Sequence, residues 1–553
     1  MSRKHVSPAR VILGVSLWMA GIGNLALWRR LATLEVFAGF GGLAFGVALF
    51  TIVAAAIALL LGLFAWRATL KPAATVLLLV SAAAAYFMLA YGIVIDPGMV
   101  TNAVQTDLHE AGALASGKMA LAFALLAGPP VVLLWRQPLD HGGAWRQAAR
   151  SGTVVAGALA LVLVASLLCF PALASLMRNH KELRYLVNPL STVYSAARVA
   201  AATVPGTPAV LVRVGEDAHL PTRATAGGRR RIVLLVVGET ARSGNFGING
   251  YERPTTPALQ RHGAWSLRDA WSCGTSTAVS LPCMFSGLPR TRQADADQRE
   301  GLLDVLRHAG VPVLWIDNQS GCKGVCARVA SVDLTAERRG DCGTACPDEA
   351  LLKGLDARIE QLDPAHAAPA MVVVLHPMGS HGPAYHLRSP DVHKRFLPEC
   401  RRANLQDCSR AEVRNAYDNS IAYTDHVLGR AIDWLRTRND ADTALLYVAD
   451  HGESLGENNL YLHGMPYALA PDVQKHVPWI AWFSPGYLRG AALSTSCLRG
   501  LRDQRVSHDN YFHAVLGLVG VRTDAYQPDL DPYRPCRGAG AALALRPGLT
   551  PSS

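Results

Sequence analysis

The chain has 553 residues, 50% of them hydrophobic, and a formal net charge of +11. This length is sufficient for two or more domains, each with its own core. Much of the basic excess flanks apolar segments, where it sets membrane orientation or meets anionic lipid. We therefore expect no nucleic-acid partner, and we expect the chain to act as a monomer.

The part of the chain up to about residue 175 is apolar and poor in charge. A helix that crosses a bilayer needs about 20 apolar residues, and several segments are long enough. Buried core helices would look similar, but an unbroken succession of such segments favours a membrane domain over residues 1–175. The first segment lacks a clear small-residue cleavage site, so we interpret it as an anchor rather than a signal peptide. The predicted spans are 11–28, 41–65, 73–95, 117–135 and 153–175.

Basic residues indicate the orientation of these spans, because Lys and Arg concentrate in cytoplasmic loops. With the N-terminus inside, the inner loops are 67–71 and 136–150, and both are basic. Arg29 and Arg30 fall on the outer side and oppose this orientation weakly. An odd number of spans then places the polar half of the chain outside.

Cysteines support export of the polar half. Cys169 lies alone in an apolar segment, and the other ten of the 11 cysteines fall between Cys273 and Cys536. An even number in an exported domain indicates disulfides formed in an oxidising compartment. The competing interpretation, a thiolate zinc site, rests on two C-x-x-x-C pairs, Cys322 with Cys326 and Cys342 with Cys346.

Residues 176–230 are predicted to connect the two halves. Over 176–202, basic and apolar residues alternate at helical spacing, which is typical of a helix on a membrane surface. An amphipathic helix packed on the soluble domain would show the same pattern. The stretch from 205 to 231 is rich in Pro, Gly, Thr and Arg and is predicted to be a mobile linker.

Residues 231–553 are predicted to form a catalytic domain of α/β class. Strand-like runs alternate with helical patterns, which predicts a mainly parallel sheet with helices on both faces. We expect the tail beyond about Arg522 to be loosely ordered. The predicted strands are 232–237, 311–316, 371–375, 444–449 and 479–483.

The run IVLLVV, followed by Gly238 and Glu239, is the central feature of this domain. A short, continuous apolar run predicts a strand that is buried on both faces. Reactive groups in open α/β sheets collect just past the carboxyl ends of strands, where Glu239 lies. Alternatively, Glu239 caps the next helix or pairs with Arg242.

Two other predicted strands also end in residues that can bind a metal ion. Carboxylate and imidazole ligands beside glycines suit zinc, with one position left open for a reacting group. The residues at or near these three strand ends are Glu239, His376, His381, Asp450, His451 and His463.

The segment WSCGTSTAVSLPCMFS, from Trp271 to Ser286, is a hydroxyl-rich turn that leads into a helix. Free N–H groups at a helix N-terminus bind anions. A threonine hydroxyl becomes a useful nucleophile when a base or metal lowers its pKa. Thr275 and Thr277 both fit this role, and a simple capping segment would have a similar composition.

Four motifs together resemble the phosphoethanolamine transferases of Gram-negative bacteria, in particular the lipid A-modifying EptA and mobile colistin resistance (MCR) type. The resemblance implies an alkaline phosphatase/sulfatase-like fold and an inner-membrane protein with a periplasmic catalytic domain. It also implies the disulfides 273–283, 322–326, 342–346, 400–408 and 497–536, with Cys169 free. The motifs are GETARSGNFGINGYERPTTP, CGTSTAVSLPCMFS, HPMGSHGPAY and DHGESLGENNLYLHG.

The resemblance also implies roles for individual residues. Thr277 would be the nucleophile, and one zinc ion, or two, would be bound. His381 and His463 match catalytic histidines near the phosphoryl group or a second zinc. The implied zinc ligands are Glu239, Thr277, Asp450 and His451.

Further positions match substrate-binding residues of the family. Ser320 and Lys323 resemble the donor-binding pair, and His376 is assigned to the substrate as well. A polar triplet in the outer loop matches residues implicated in binding the lipid head group. Its i, i+4, i+8 spacing puts all three on one helix face, although a plain solvated face would look the same. The triplet is Asn102, Thr106 and Glu110.

The reaction implied is a ping-pong transfer. Thr277 would attack phosphatidylethanolamine, release diacylglycerol and carry phosphoethanolamine until a lipid A phosphate accepts it. The added amine would mask negative charge and confer resistance to polymyxin and colistin. Within the family, the alternative acceptors are core heptose, Kdo or a periplasmic glucan.

Three other interpretations fit less well. A sulfatase needs a C/S-x-P-x-R motif, and none lies near Thr277. A lipoteichoic acid synthase-like enzyme is close chemically but matches CGTST and SHGPAY poorly. A catalytically dead scaffold would not need the full set of Glu239, Thr277, Asp450 and His451.

Overall fold

The structure is a computed structural model that describes residues 6–34, 37, 39–105, 114–140, 142–203, 211–221, 229–337, 346–402 and 405–538. The chain divides into two compact units. Met1–Val104 and Leu114–Pro205 form the first, and residues from Gly206 onward form most of the second.

The first unit is helical, and its described residues include 5 helices long and apolar enough to cross a membrane. The expectation of five membrane-spanning helices is thereby confirmed. The last runs from Ala144 to Leu168 instead of 153–175, since the helix continues through Arg146 and Arg150 before its apolar stretch and a separate helix begins at Phe170. The candidate spans are Pro8–Leu31, Phe40–Leu63, Leu70–Tyr91, Gly117–Arg136 and Ala144–Leu168.

Two of these spans consist of consecutive shorter helices, Pro8–Gly21 with Leu25–Leu31 and Gly117–Leu126 with Gly128–Arg136. Apolar side chains from several spans share one buried cluster, which includes Ile12, Ile57 and Leu78. The other helices described in this unit are Pro97–Gln105, Phe170–Asn179 and Leu190–Thr203.

The predicted surface helix over 176–202 is two helices instead of one. The first helix ends at Asn179, a 3-10 turn covers Lys181–Tyr185, and the second helix begins at Leu190, directly after Pro189. Asn188 is buried, and its backbone N–H donates to Asn24 Oδ1 at 2.8 Å. Its side-chain amide donates to the carbonyl of Ser81 at 2.7 Å. This polar contact ties the segment to the helices of the first unit.

The second unit is built on an 8-stranded sheet with the order β10-β2-β9-β6-β1-β5-β3-β4. The described pairs are parallel except those of β9, which is antiparallel to both of its neighbours. A separate short hairpin pairs β7 with β8. The strands are β1 Arg230–Gly238, β2 Trp265–Trp271, β3 Val313–Asp317, β4 Ala330–Asp333, β5 Ala370–His376, β6 Ala441–Ala449, β7 Ser454–Leu455, β8 Tyr461–Leu462, β9 His476–Phe483 and β10 Arg505–Ser507.

All five predicted strands are confirmed, as β1, β3, β5, β6 and β9. The additional sheet strands β2, β4 and β10 are short or partly exposed, so they lack the continuous apolar run that marks a buried strand. Register sets the position of the strand ends. Gly238 of β1 lies opposite Ala449 of β6, and Asp317 of β3 lies opposite His376 of β5. The residues that follow these parallel strands therefore meet at one edge.

Helices pack against the sheet in this unit. The longest begins at a capping box of Ser409 and Glu412 and packs against β6. The helices are Pro257–Arg261, Thr277–Phe285, Leu302–His308, Leu334–Glu337, Leu355–Leu362, Arg410–Arg436, Pro485–Gly490, Thr495–Gly500 and Tyr511–Val519.

The predicted mobile linker is partly an ordered piece of the second unit. Val212 pairs with the chain at Arg299, and His219 pairs with Arg522 through two backbone hydrogen bonds of 3.0 and 2.9 Å. The Asp217 carboxylate accepts hydrogen bonds from the Thr523 hydroxyl at 2.7 Å and from a backbone N–H at 2.6 Å. Composition alone missed this because the contacts join segments distant in sequence.

The expected loose tail beyond Arg522 is also corrected, as far as residue 538. Tyr533 and Cys536 are buried, and Cys536 is bonded to Cys497. Asp531 and Arg537 form a buried ion pair. A disulfide and a buried charge pair hold this segment despite its Pro- and Gly-rich composition.

Four predicted disulfides are confirmed: 273–283, 322–326, 400–408 and 497–536. Cys169 is not in a disulfide, as predicted. The fifth predicted pair, 342–346, includes Cys342, which lies outside the described residues.

The ordered linker leads to a prediction about the isolated catalytic unit. A fragment that begins at residue 211 should be more stable than one that begins at 229, because only the longer one keeps the contacts of Val212, Asp217 and His219. These contacts include six hydrogen bonds, and at about 0.5–1.5 kcal/mol for each we expect a loss of roughly 3–9 kcal/mol. Denaturant unfolding measures the difference, and Asp217→Asn in the longer fragment should lose part of it. Equal stability of both fragments would contradict this assignment.

Candidate active site and metal centre

Two carboxylates meet where β1 and β6 end. Because Gly238 and Ala449 are paired, the next residues, Glu239 and Asp450, come to lie side by side. The backbone N–H of Asp450 extends the ladder by donating to the carbonyl of Gly238 at 2.8 Å. Glu239 is 1% exposed and Asp450 is fully buried. Two negative charges are thus held together away from water.

His451 completes a cluster of three buried potential ligands whose donor atoms lie within 4.8 Å of one another. Its Nδ1 lies 2.9 Å from the carbonyl of Gly452, so we assign the proton to Nδ1. The lone pair of Nε2 then faces the carboxylates, 3.4 Å from Asp450 Oδ2 and 3.6 Å from Glu239 Oε1. This is the tautomer that a metal-binding histidine needs.

The electrostatics of the cluster favour a cation. Burial, followed by the negative charge of Glu239, raises the pKa of Asp450 to about 7. Burial opposes ionisation of Glu239 too, but His451 and His381 lower the pKa of its carboxyl to about 2. Two like charges in one buried site destabilise each other unless a positive charge lies between them. Asp450 Oδ2 is buried and has no hydrogen-bond partner among the described residues.

Thr277 is the first residue of the helix Thr277–Phe285 and borders this cluster. Its hydroxyl donates to Glu239 Oε2 at 3.0 Å and lies 3.4 Å from His451 Nε2. Thr277 remains 8% exposed. The Thr275 hydroxyl instead donates to the carbonyl of Met465 at 2.6 Å. The geometry therefore favours Thr277 over Thr275 as the reactive threonine.

The backbone around Thr277 can bind an anion. Within the described part of the chain, no acceptor is found for the N–H groups of Thr277 and Ala278. The first N–H groups of a helix carry partial positive charge and point away from its body. An anionic phosphoryl group can be held there, next to the Thr277 hydroxyl.

Three imidazoles lie in succession beside the cluster. The ring centroids of His451 and His463 are 4.3 Å apart, and those of His463 and His381 are 5.6 Å apart. Burial is the main cause that lowers the pKa of His463 to about 3, so this ring is neutral. His463 Nδ1 lies 3.3 Å from Glu453 Oε2. The structure thus brings both predicted catalytic histidines to the candidate site.

Glu453 is a site residue that the sequence analysis did not assign. It is fully buried, and burial raises the pKa of its carboxyl well above the usual range. Its contact with His463 helps to fix the orientation of that ring. A carboxylate two residues after His451, in DHGE, was the available signal.

The carboxylate of Asp348, which the sequence did not indicate as a site residue, holds the backbone of the loop that carries His381. Its two oxygens accept the N–H groups of Met378 and Gly379 at 2.8 and 2.9 Å. Gly379 has a φ of +54°, and a Cβ there would lie 2.8 Å from the carbonyl of Glu239. Only glycine combines this conformation with so close an approach. Asp348 lies far from the loop in sequence, which explains why no pattern revealed it.

Two polar residues at the end of β3 support the site. The Gln319 amide donates to Glu239 Oε2, and Thr240 donates its hydroxyl to the other oxygen of that carboxylate. Asp317 Oδ2 lies 2.9 Å from His376 Nδ1. Burial lowers the pKa of His376, but the charge and hydrogen bond of Asp317 together with the charges of Glu239 and Asp450 more than offset it, and the net shift is upward. His376 is fully buried, which favours a supporting role over the predicted substrate contact.

The remaining predicted substrate residues are not brought to the cluster by any described contact. Lys323 Nζ lies 3.0 Å from the hydroxyl of Ser320. The residue before Ser320, Gln319, is the one that contacts Glu239. Asn102 lies on the helix Pro97–Gln105 of the first unit. Thr106 and Glu110 lie outside the described residues.

These residues fit a divalent metal ion. The donor set is two carboxylates, one imidazole with a free lone pair and one hydroxyl, which suits zinc with room for a reacting group. A mainly parallel sheet with this site at its strand ends defines an alkaline phosphatase/sulfatase-like domain, here attached to a membrane-spanning unit.

Comparisons with known proteins agree with this class. The sequence model of the sulfatase family matches residues 231–521, and that of phosphoethanolamine transferase EptA/EptB matches residues 53–204. Phosphoethanolamine transferase EptA of Escherichia coli (strain K12) is 39% identical over 496 residues, 87% of this chain and 88% of its own. Phosphatidylethanolamine transferase Mcr-1 of Escherichia coli is 34% identical over 536 residues, 94% of this chain and 96% of its own.

A solved structure is similar over both units. The integral membrane protein lipooligosaccharide phosphoethanolamine transferase A (EptA) from Neisseria meningitidis has a TM-score of 0.91 and 31% identity, covering 97% of this chain and 100% of that one. The chain belongs to the EptA-type phosphoethanolamine transferase family. It is an inner-membrane enzyme with its catalytic domain in the periplasm.

Proposed function

We propose that this enzyme transfers phosphoethanolamine from phosphatidylethanolamine to a phosphate of lipid A, through a covalent intermediate on Thr277. The observation that carries the proposal is the position of the Thr277 hydroxyl. The hydroxyl lies at a helix N-terminus, 3.0 Å from Glu239 and 3.4 Å from His451, and Thr277 as a residue is more exposed than the other three predicted ligands.

The chain's own residues support the first half of the reaction. Glu239 accepts the hydrogen bond of the Thr277 hydroxyl and thereby orients it. The N–H groups of Thr277 and Ala278 would hold the phosphoryl oxygens of the donor. A zinc ion bound by Glu239, Thr277, Asp450 and His451 would lower the pKa of the threonine hydroxyl and neutralise charge that develops on the phosphoryl group. The Thr277 oxygen then forms the new bond to phosphorus. The bond between phosphorus and the diacylglycerol oxygen breaks, and diacylglycerol leaves with that oxygen and the proton of the Thr277 hydroxyl.

The second half of the reaction returns Thr277 to its starting state. An oxygen of a singly protonated lipid A phosphate attacks the phosphorus, the bond to the Thr277 oxygen breaks, and the proton of that phosphate passes to the Thr277 oxygen. His463 is neutral beside the cluster and Glu453 fixes its ring, so it can hold a donor or acceptor phosphate by a hydrogen bond. We assign the same role to His381, whose ring is next in the succession.

The acceptor is tested directly by mass spectrometry of lipid A from cells that contain or lack this protein. We expect added phosphoethanolamine on lipid A only in cells that contain it, with lower susceptibility to polymyxin because the added amine masks anionic charge. A Thr277→Ala strain is the matched control and should resemble the strain without the protein. Phosphoethanolamine found on core heptose, Kdo or a periplasmic glucan, with lipid A unchanged, would overturn the acceptor assignment while keeping the transfer reaction.

A further inference from the structure

A second group of potential metal ligands lies in the same unit, outside the candidate active site. Glu349, His393 and His426 offer donor atoms that lie within 4.8 Å of one another. They come from three elements that are separate in sequence: the turns Asp348–Leu352 and Asp391–His393 and the helix Arg410–Arg436. We propose that this trio is a peripheral zinc site that links the three elements.

The distances suit closure on a metal ion with small side-chain movements. His426 Nε2 already lies 2.9 Å from Glu349 Oε1, and the rings of His393 and His426 have centroids 4.2 Å apart. Ligand atoms around a tetrahedral zinc with bonds of about 2.0–2.1 Å lie about 3.3 Å apart. Two imidazoles and one carboxylate form a common zinc-ligand set that leaves one position for water.

A neighbouring aromatic ring holds the two imidazoles of the proposed zinc site in place. Tyr423 is 1% exposed, and its ring packs against both imidazoles, with centroids 5.1 Å from His393 and 5.9 Å from His426. The ligand side chains are only partly buried, with Glu349 at 31% and His426 at 29% exposure. Water and a metal ion can therefore reach ligands whose rings are already held in place.

An ordinary surface ion pair is the competing interpretation. His426 next to Glu349 would form one, and Arg430 lies 3.6 Å from the same carboxylate. A simple pair gives no reason for a second imidazole in contact with the first, since two protonated rings repel each other. Arg430 is 62% exposed and can turn into water when a cation binds. His366 and Glu360 form a simple histidine–carboxylate pair on the surface, with Nε2 and Oε2 2.8 Å apart, and serve for comparison.

The proposed zinc site is connected to the loop that carries His381. Glu349 follows Asp348, whose carboxylate holds the N–H groups of Met378 and Gly379 below His381. A metal ion on Glu349 would restrain the turn that supplies this carboxylate. Its expected effect is stabilisation of the folded protein by mass action.

Zinc content of the full-length protein tests the proposal. Wild type, His393→Ala, His426→Ala and the control His366→Ala are stripped with chelator and equilibrated by dialysis against micromolar Zn²⁺. We expect wild type and His366→Ala to hold one more zinc per chain than His393→Ala or His426→Ala. Thermal melting with and without Zn²⁺ should show a larger rise for the first two proteins.

Reloading with Co²⁺ gives a second readout, because the visible spectrum of cobalt reports its ligands. The spectrum of the wild-type protein minus that of His393→Ala should show the absorption of cobalt bound by nitrogen and oxygen ligands. Equal metal content and identical cobalt spectra in all four proteins would overturn the proposal. Because these variants leave Thr277 and its neighbours unchanged, this result would be independent of the transfer reaction.

Discussion

Thr277→Ala should abolish phosphoethanolamine transfer while leaving the fold and the disulfides intact. The substitution removes a hydroxyl that contacts Glu239 and His451 at the edge of a buried cluster, so its loss leaves a small gap and introduces no new charge. The hydroxyl of Thr275, on the same turn, donates to the carbonyl of Met465 and is therefore not positioned to replace it. Loss of a covalent nucleophile costs roughly 10⁴-fold or more in rate. Transfer assays with defined donor and acceptor lipids measure the effect.

Two matched variants make this result specific. Thr277→Ser keeps a hydroxyl at the same position and should retain part of the activity. Thr275→Ala removes the contact to Met465, near His463, and should reduce transfer much less than Thr277→Ala. Comparable losses in Thr275→Ala and Thr277→Ala would indicate that the turn as a whole matters, and not one oxygen.

Asp450→Asn should reduce metal content and transfer together, while stabilising the metal-free protein. The amide is a weaker metal ligand than the carboxylate, so we expect transfer to fall about a thousandfold or more. After chelation, the variant should melt at a higher temperature than wild type, because it removes one of two buried negative charges. In the wild type, Asp450 Oδ1 accepts hydrogen bonds from the backbone N–H groups of Thr240 and His451 at 3.2 and 2.7 Å. The amide oxygen of the variant can still accept both.

Asp418→Asn is the matched control for Asp450→Asn. Asp418 is another buried carboxylate in the same unit, but it accepts hydrogen bonds from Asn245, Tyr251 and Arg253. Loss of this negative charge should lower stability, because Arg253 loses its carboxylate partner and keeps only Asn415, while metal content stays at the wild-type level. Metal analysis and melting curves separate the two cases. Wild-type metal content in Asp450→Asn would show that Asp450 is not a ligand.

Much of the catalytic unit is predictable from the sequence, because its central strands are continuous apolar runs that end in polar residues. The run before Glu239 and the run before Asp450 indicated two buried strands, and parallel pairing brings their ends together. Local signals of this kind depend only on neighbouring residues. The candidate site follows directly from them.

The remaining features depend on contacts between distant parts of the chain. Asp348 supports the loop of His381 from far away in sequence, and Gln319 reaches Glu239 from another strand. Asn188 is a polar residue in a segment that looked amphipathic, yet it is buried among spanning helices. Composition cannot show such pairings, because each partner is unremarkable in its own neighbourhood.

The most direct test of the account is the mass of the Thr277 peptide after wild-type protein has been incubated with phosphatidylethanolamine and no acceptor. We predict that a fraction of this peptide gains about 123 Da, the mass expected for covalently attached phosphoethanolamine. Addition of lipid A should remove the added mass, and the Thr277→Ala protein should never acquire it. If the wild-type peptide stays unmodified while Thr277→Ala still transfers phosphoethanolamine at a substantial rate, the covalent mechanism is contradicted.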